Sequence, residues 1–260
     1  MRLAEGWSIS RKRVISIITT KNLQVSYLNK QVLKNFTCEI PKNKITVIIG
    51  SSGCGKSTFL KSINRIVEEE GGRLSGEIFI GDKNISDLPK ETLRKQVGLV
   101  FQTPLVFPFS VEKNILYPLN YHFSLSKSEQ ADKVKHYLQL TGLYEEIKQD
   151  LDMPAYKLSG GQKQRLSIAR CLCIEPAILM LDEPCSALDM KNTISIEKLL
   201  IELKEFITVV IVTHNLSQAK RIADHVLFMD NGELIEAGDY SIFSDPKEEL
   251  TRAYIEYMNY

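Results

Sequence analysis

Residues 50–58 read Gly50-Ser51-Ser52-Gly53-Cys54-Gly55-Lys56-Ser57-Thr58 and keep the spacing G-x-x-x-x-G-K-[ST]. Glycines let successive backbone N–H groups converge on one point, and a helix starting there adds its positive end. Such a loop is built to cradle phosphate oxygens. Lys56 is placed to reach the β- and γ-phosphates of a nucleoside triphosphate, and the Ser57 hydroxyl suits Mg2+. The apolar run ITVII precedes the loop and a helix-like FLKSINRI follows it. That strand–loop–helix frame is the context the motif requires, so a nucleoside triphosphate is the expected ligand. No N-K-x-D segment, which would read guanine, occurs in the chain. Tyr27, in a turn upstream, either stacks on an adenine face or packs in the core as a lone tyrosine more often does.

Hydrolysis needs a cation holder and a proton acceptor. AILMLDE, 177–183, is an apolar strand ending in two carboxylates. Asp182 at its tip can hold Mg2+ through water, and Glu183 can take a proton from an attacking water, a role worth roughly 10²–10⁴ in rate. His214 closes the next apolar run, TVVIVTH, and Gln102 follows VGLVF. Polar groups at several strand tips would converge where a γ-phosphate and its water lie. Lys56, Glu183, His214 and Gln102 are therefore the candidate catalytic set. LSGGQ, 158–162, opens an evident helix. Ser159 is placed to act as N-cap, with Gly160 and Gly161 exposing backbone N–H groups ahead of Gln162. The segment is either only a capped helix or a second anion site.

Elements in a fixed frame must position these residues. Of 260 residues, 43% are hydrophobic and 25% charged, enough apolar content for a sizeable core and against disorder or a disulfide scaffold. Net charge is +1, so bulk positive charge does not drive nucleic-acid binding. No apolar stretch approaches the roughly 20 residues of a membrane span. Arg11, Lys12 and Arg13 resemble a signal-peptide start, but the apolar run after them breaks at once, which points to the cytosol. Five scattered cysteines lack metal-ligand spacing and read as reduced thiols.

Residues 1–14 look like a lead-in, followed by strands up to about Cys38 with a turn at 28–31. ITVIIG reads as a strand buried on both faces, and 76–85 and VGLVF as further strands. Between about 103 and 170 strand-like runs vanish. There, Val134, Tyr137, Leu138 and Leu140 mark an amphipathic helix, and the stretch reads as a helical insertion. Strands at 177–181, 208–212, 225–229 and 233–236 then alternate with helices expected at 192–205 and 216–223. This pattern specifies an α/β protein with a parallel sheet covered on both faces, whose ligands sit at strand carboxyl ends.

GSSGCGKST, the glutamine after VGLVF, LSGGQ, ILMLDE, SALD at 186–189 and the histidine in VTH stand in the order of ATP-binding cassette ATPases. The resemblance runs from about Ile17 to Tyr257, and LSGGQ is highly specific to that family. It implies a P-loop NTPase (RecA-like) core with an N-terminal antiparallel β subdomain and an inserted α-helical subdomain, one domain over 15–260. It implies ATP and Mg2+ as cofactors and a homodimer pairing head to tail, each ATP lying between the phosphate loop of one copy and LSGGQ of the other. By motif, Tyr27 is the adenine-stacking aromatic, Gln102 a Mg2+ ligand that couples the nucleotide to a membrane partner, Asp189 a cross-dimer contact and His214 the γ-phosphate switch. The partners implied are transmembrane permease subunits gripped by the helical insertion and, through them, an extracytoplasmic substrate-binding protein. The place implied is the cytoplasmic face of the membrane.

INRI, VGLVFQTPLVFPFSVEKNI, EEIKQDLDMPAYKLSGGQ, DEPCSALD and FSDPKEELTRAYI resemble the ATPase subunits of bacterial phosphate importers. TPLVFPF after Gln102, and Leu28 in place of a usual glycine, depart from that pattern. Import of another oxyanion, a metal or an amino acid is the alternative. A soluble cassette ATPase of DNA repair or translation would carry a second cassette or long heptads, which this chain lacks. A non-hydrolysing binder would not keep Lys56, Asp182, Glu183 and His214 together.

Overall fold

The computed structural model describes residues 18–28 and 30–258; the expected lead-in, 1–14, lies outside them. β3 (Ile45–Gly50) is buried at all six residues and sits third in a six-stranded sheet of order β10-β9-β3-β8-β7-β6. β6 (Val97–Val100), β7 (Ile178–Asp182), β8 (Thr208–Val212) and β9 (His225–Asp230) join it in parallel, while β10 (Glu233–Asp239) folds back antiparallel on β9. Successive side chains of a strand point to opposite faces, and here both faces are buried. Ile45, Val47, Ile49, Leu179 and Leu181 pack on the face that carries the helices at 111–172. Ile48, Ile178, Met180, Val210 and Val212 pack on the other, against a second sheet. A continuous apolar run in the sequence is the direct consequence.

The second sheet is antiparallel, of order β2-β1-β4-β5, from β1 (Ile18–Tyr27), β2 (Lys30–Ile40), β4 (Gly72–Ile80) and β5 (Lys83–Asn84). The turn expected at 28–31 is shorter than its sequence suggested, because Lys30 and Gln31 already pair with Tyr27 and Ser26. The strand expected at 76–85 starts earlier, at Gly72, and breaks at Gly81, whose φ of 61° turns the chain into β5.

α1 (Lys56–Ile63) follows β3, and α2 (Lys90–Gln96) leads into β6. Residues 103–170 hold α3 (Val111–His122), α4 (Lys127–Leu140), α5 (Tyr144–Ile147) and the start of α6 (Gly160–Leu172). Val134, Tyr137 and Leu138 of α4 are buried as the spacing predicts, and Leu140 packs beside them partly buried. α7 (Met190–Leu203) begins two residues before the expected helix because Asp189 caps it. α8 (Leu216–Ile222) matches its pattern, and α9 (Glu249–Met258) closes the described chain. Among the described residues no helix is long and apolar enough to cross a membrane. All five cysteines are free thiols; Cys38, Cys54 and Cys173 are buried.

Candidate nucleotide site

The loop between β3 and α1 turns on glycines in left-handed conformations. Gly53 has φ 78° and Gly55 φ 108°. Gly50 has φ 148°, and a Cβ there would stand 2.0 Å from the Met229 carbonyl oxygen, so no side chain fits. α1 has Gly55 at its N-cap, so it lacks a side-chain cap, and it has no acidic residue in its first turn. Its leading N–H groups are therefore left to an external anion, and the helix dipole favours one. Lys56 is buried, its ammonium donating to the carbonyls of Gly50 (2.9 Å) and Ser51 (2.8 Å). The cation is thus held within its own loop.

A cleft of about 470 Å3 opens over this loop. Ser52, Gly53, Gly55, Lys56, Ser57 and Thr58 line it from the loop side, and Gln102, Glu183 and His214 line it from the strand tips. The other loop residues face away from it. Gly50 packs on β9, Ser51 donates its hydroxyl to Asp230 at 2.9 Å, and Cys54 is buried, which pushes its thiol pKa up. Tyr27 does not line the cleft. Its ring packs against Gly72 and its hydroxyl donates to Glu70 at 3.2 Å, with partial burial and the Glu70 charge lifting its pKa to about 12.

Glu183 stands one residue past the end of β7 in a left-handed backbone conformation, φ 46°, fixed by its N–H on the Val212 carbonyl at 2.9 Å. A non-glycine residue held there marks a position where geometry outweighs local preference. Its Oε2 accepts from Gln102 Nε2 at 2.9 Å and lies 3.1 Å from His214 Nδ1. Two residues drawn from two other strand ends therefore meet on this carboxylate. His214 is positioned by Thr213, whose N–H bonds the Ile48 carbonyl, and by Asn215, which caps α8.

Asp182 is buried, and burial pushes its carboxyl pKa up against the opposing pull of the Ser57 hydroxyl. Its Oδ1 is buried with no hydrogen-bond partner. A desolvated carboxylate oxygen beside a serine hydroxyl fits the oxygen-ligand chemistry of a hard divalent cation. No signal in the sequence distinguishes this orphaned atom from a solvated strand-end aspartate; only the pairing with the phosphate loop does.

Ser159–Gln162 lie outside the cleft. Ser159 Oγ accepts from the Gln162 N–H at 3.3 Å while Gln162 Oε1 accepts from the Ser159 N–H at 3.0 Å, a reciprocal capping box. Gln162 Nε2 also donates to Glu146 at 3.1 Å, and buried Arg165 binds both Glu146 oxygens at 2.7 and 2.8 Å. Glu146 thus ties the start of α6 to α5, a role the sequence reading missed. Gly161 abuts the 186–189 segment, where an added Cβ would sit 3.1 Å from the Ala187 carbonyl oxygen. Asp189 caps α7, accepting from the Asn192 N–H at 2.8 Å, which holds its carboxyl below the usual range.

The sheet order, the loop at the carboxyl end of β3 and the acidic tip of β7 define a phosphate-loop nucleotide-binding protein of the α/β class. The model of the ABC transporter family matches residues 33–186. The chain is 46% identical over 234 residues to the Phosphate import ATP-binding protein PstB of Saccharolobus solfataricus, covering 88% of this chain and 91% of that one. It is 45% identical over 241 residues to the protein of the same name from Campylobacter jejuni, covering 92% and 98%. Among solved structures it resembles a bacterial Atm1-family ABC exporter with ATP bound, with TM-score 0.84 at 25% identity; 95% of this chain corresponds to 43% of that longer one. A dimeric ATP-binding cassette in a post-hydrolysis state, bound to ADP and Pi, matches with TM-score 0.76 at 28% identity, over 86% of this chain and 98% of the other. The chain belongs to the ABC transporter family.

Proposed function

We propose that this chain is the ATP-hydrolysing motor subunit of an importer, that it works as a head-to-tail homodimer on the cytoplasmic face of the membrane, and that the cargo is inorganic phosphate. The observation that carries the enzymatic reading is the meeting of Gln102 and His214 on Glu183 across the cleft from Lys56. Lys56 turns from the Gly50 and Ser51 carbonyls to the nucleotide phosphates, while loop N–H groups hold their oxygens. Glu183 accepts the proton of the attacking water at its carboxylate, and Gln102 and His214 keep that carboxylate aimed. Ser57, Asp182 and Gln102 are the residues that would hold Mg2+. When bound, that ion neutralises charge on the β- and γ-phosphates. Ser159, Gly160, Gly161 and Gln162 of the second copy close the site, since these residues line no part of the cleft in their own chain, and Asp189 lies beside them at the same face.

The partner within the membrane is a permease. Supporting this is a groove of about 450 Å3 at the junction of the parallel sheet and α3, lined by Leu99, Leu105, Phe107, Tyr117, Tyr121 and Ile174 among others. Leu105, Tyr117 and Tyr121 are 57%, 59% and 65% exposed, an apolar surface that a partner would cover. The segment from Gln102 to Phe107 runs from the cleft into this groove. Ser167 and Arg170 of α6 grip it by the Leu105 carbonyl at 3.2 and 2.6 Å, so a movement at Gln102 and one at the LSGGQ helix reach the groove together. ATP favours the closed dimer only as far as it binds that state better, and hydrolysis removes the bias. Phosphate as cargo rests on the similarity to the relatives named for phosphate import. Reconstitution of the chain with its permease subunits tests it. ATP hydrolysis stimulated by a phosphate-loaded binding protein and not by a sulfate-loaded one is the expected result. Hydrolysis without that response would remove phosphate, and no hydrolysis at all would remove the motor.

A further inference from the structure

The front of the phosphate loop faces the cleft, but its back is held from the far end of the chain. Tyr254 of α9 donates its hydroxyl to the Gly50 carbonyl at 3.2 Å, a contact between residues 204 apart in sequence. The same carbonyl accepts the Lys56 ammonium at 2.9 Å. The Tyr254 ring rests on Phe228 of β9 with centroids 5.0 Å apart, and the neighbouring Met229 carbonyl fills the space that a Gly50 side chain would need. α9 is itself anchored, because Glu236 of β10 accepts the N–H groups of Lys247 and Glu248 at 3.0 and 3.2 Å. Burial raises the Tyr254 pKa, so the phenol stays neutral and keeps its proton to donate.

We propose that Tyr254 is a positioning residue for nucleotide binding, holding the Gly50 carbonyl from behind so that Lys56 can leave it for the phosphates. This rests on reading 50–58 as the phosphate loop. Gly50 is buried, and a buried carbonyl stripped of its donors is unfavourable. In this structure the carbonyl has two side-chain donors, so losing the phenol alone leaves Lys56 in place. Once Lys56 turns to a nucleotide, Tyr254 is the side-chain donor that remains. Removing the phenol therefore changes the ligand-free protein little and makes the ligand-bound one less favourable. It also binds Lys56 more firmly to its own loop.

The test compares native protein, Tyr254→Phe and Lys56→Ala for ADP and ATP affinity, for steady-state hydrolysis and for melting with and without Mg-ADP. Tyr254→Phe keeps the ring on Phe228 and removes only the hydroxyl. Loss of one hydrogen bond in the bound state corresponds to a rise in Kd and in KM for ATP of about threefold to tenfold, with kcat nearly unchanged. The melting temperature without ligand should stay close to native, while the stabilisation by Mg-ADP shrinks. A lower ligand-free melting temperature with native affinity would reduce Tyr254 to a packing residue and overturn the proposal, as would a variant indistinguishable from native in every readout. Native affinity in Lys56→Ala would remove the phosphate-loop reading and the proposal with it. Lost affinity in Lys56→Ala beside native affinity in Tyr254→Phe would remove the proposal alone.

Discussion

Replacing Glu183 by Gln removes a proton acceptor while leaving the shape of the side chain. The backbone at this residue, φ 46°, and its bond to the Val212 carbonyl do not depend on the carboxylate charge, so the strand end should survive. The Gln side-chain oxygen can still accept from Gln102 Nε2, which sits 2.9 Å from the carboxylate, and the aim of the side chain is kept. What is lost is the base. A positioned general base contributes about 10²–10⁴ in rate, equivalent to about 3–5 kcal/mol of barrier at 1.36 kcal/mol per decade. Only 17% of the carboxylate side chain is exposed, so bulk water does not readily stand in for it, which places the loss toward the upper end of that range. Binding should move the other way. Taking a negative charge from beside the γ-phosphate keeps or tightens ATP affinity, and the dimer should accumulate with ATP trapped. Phosphate release in the steady state, with gel filtration in the presence of ATP, reads both. Turnover at the native rate, or a parallel loss of ATP binding, would refute Glu183 as the base.

Gly50→Ala places a Cβ 2.0 Å from the Met229 carbonyl at φ 148°, so the loop or β9 must shift; ATP affinity should fall by about tenfold or more, and isothermal titration measures it. Ser159→Arg should abolish hydrolysis while nucleotide binding to the isolated monomer stays native, because Ser159 lies outside its own chain's cleft; fluorescent-nucleotide titration beside an ATPase assay separates the two. For Glu236, burial pushes the pKa up, but the hydrogen bonds it accepts outweigh this and hold it below the usual range. A carboxyl depressed by folding contributes stability that is present above its unfolded pKa and lost as pH falls through the folded one. Glu236→Gln should therefore flatten the acid limb of a melting-temperature profile. Parallel profiles for the two proteins would contradict the linkage.

The most legible parts of the chain were those whose physics is local. An unbroken ITVIIG can only be a strand covered on both sides, and Gly50 to Thr58 carries its own backbone requirements. Val134, Tyr137 and Leu138 repeat at helical spacing. The convergence of Gln102 and His214 on Glu183 was legible from the places of all three at strand tips. Long-range contacts left no such mark. Nothing at Tyr254 signals a bond to a carbonyl 204 residues away, and the sequence reading places no helix where α9 lies. Glu146 looks like any surface glutamate until Arg165 and Gln162 are seen to converge on it. Asp189 caps α7, a local role that an Asp ahead of a helical run does signal in the sequence. Tyr27 stands at a motif position, and its contacts with Gly72 and Glu70 likewise leave no mark in the local sequence.

The proposed enclosure of each nucleotide by two copies of the chain is tested most directly by a structure of Glu183→Gln with ATP and Mg2+. The expected result is a symmetric dimer in which Lys56 has left the Gly50 carbonyl for the phosphates and the partner's Ser159 and Gly161 reach the γ-phosphate of the same ATP. An ATP enclosed by one copy alone, with Ser159–Gln162 of both copies in solvent, would contradict it.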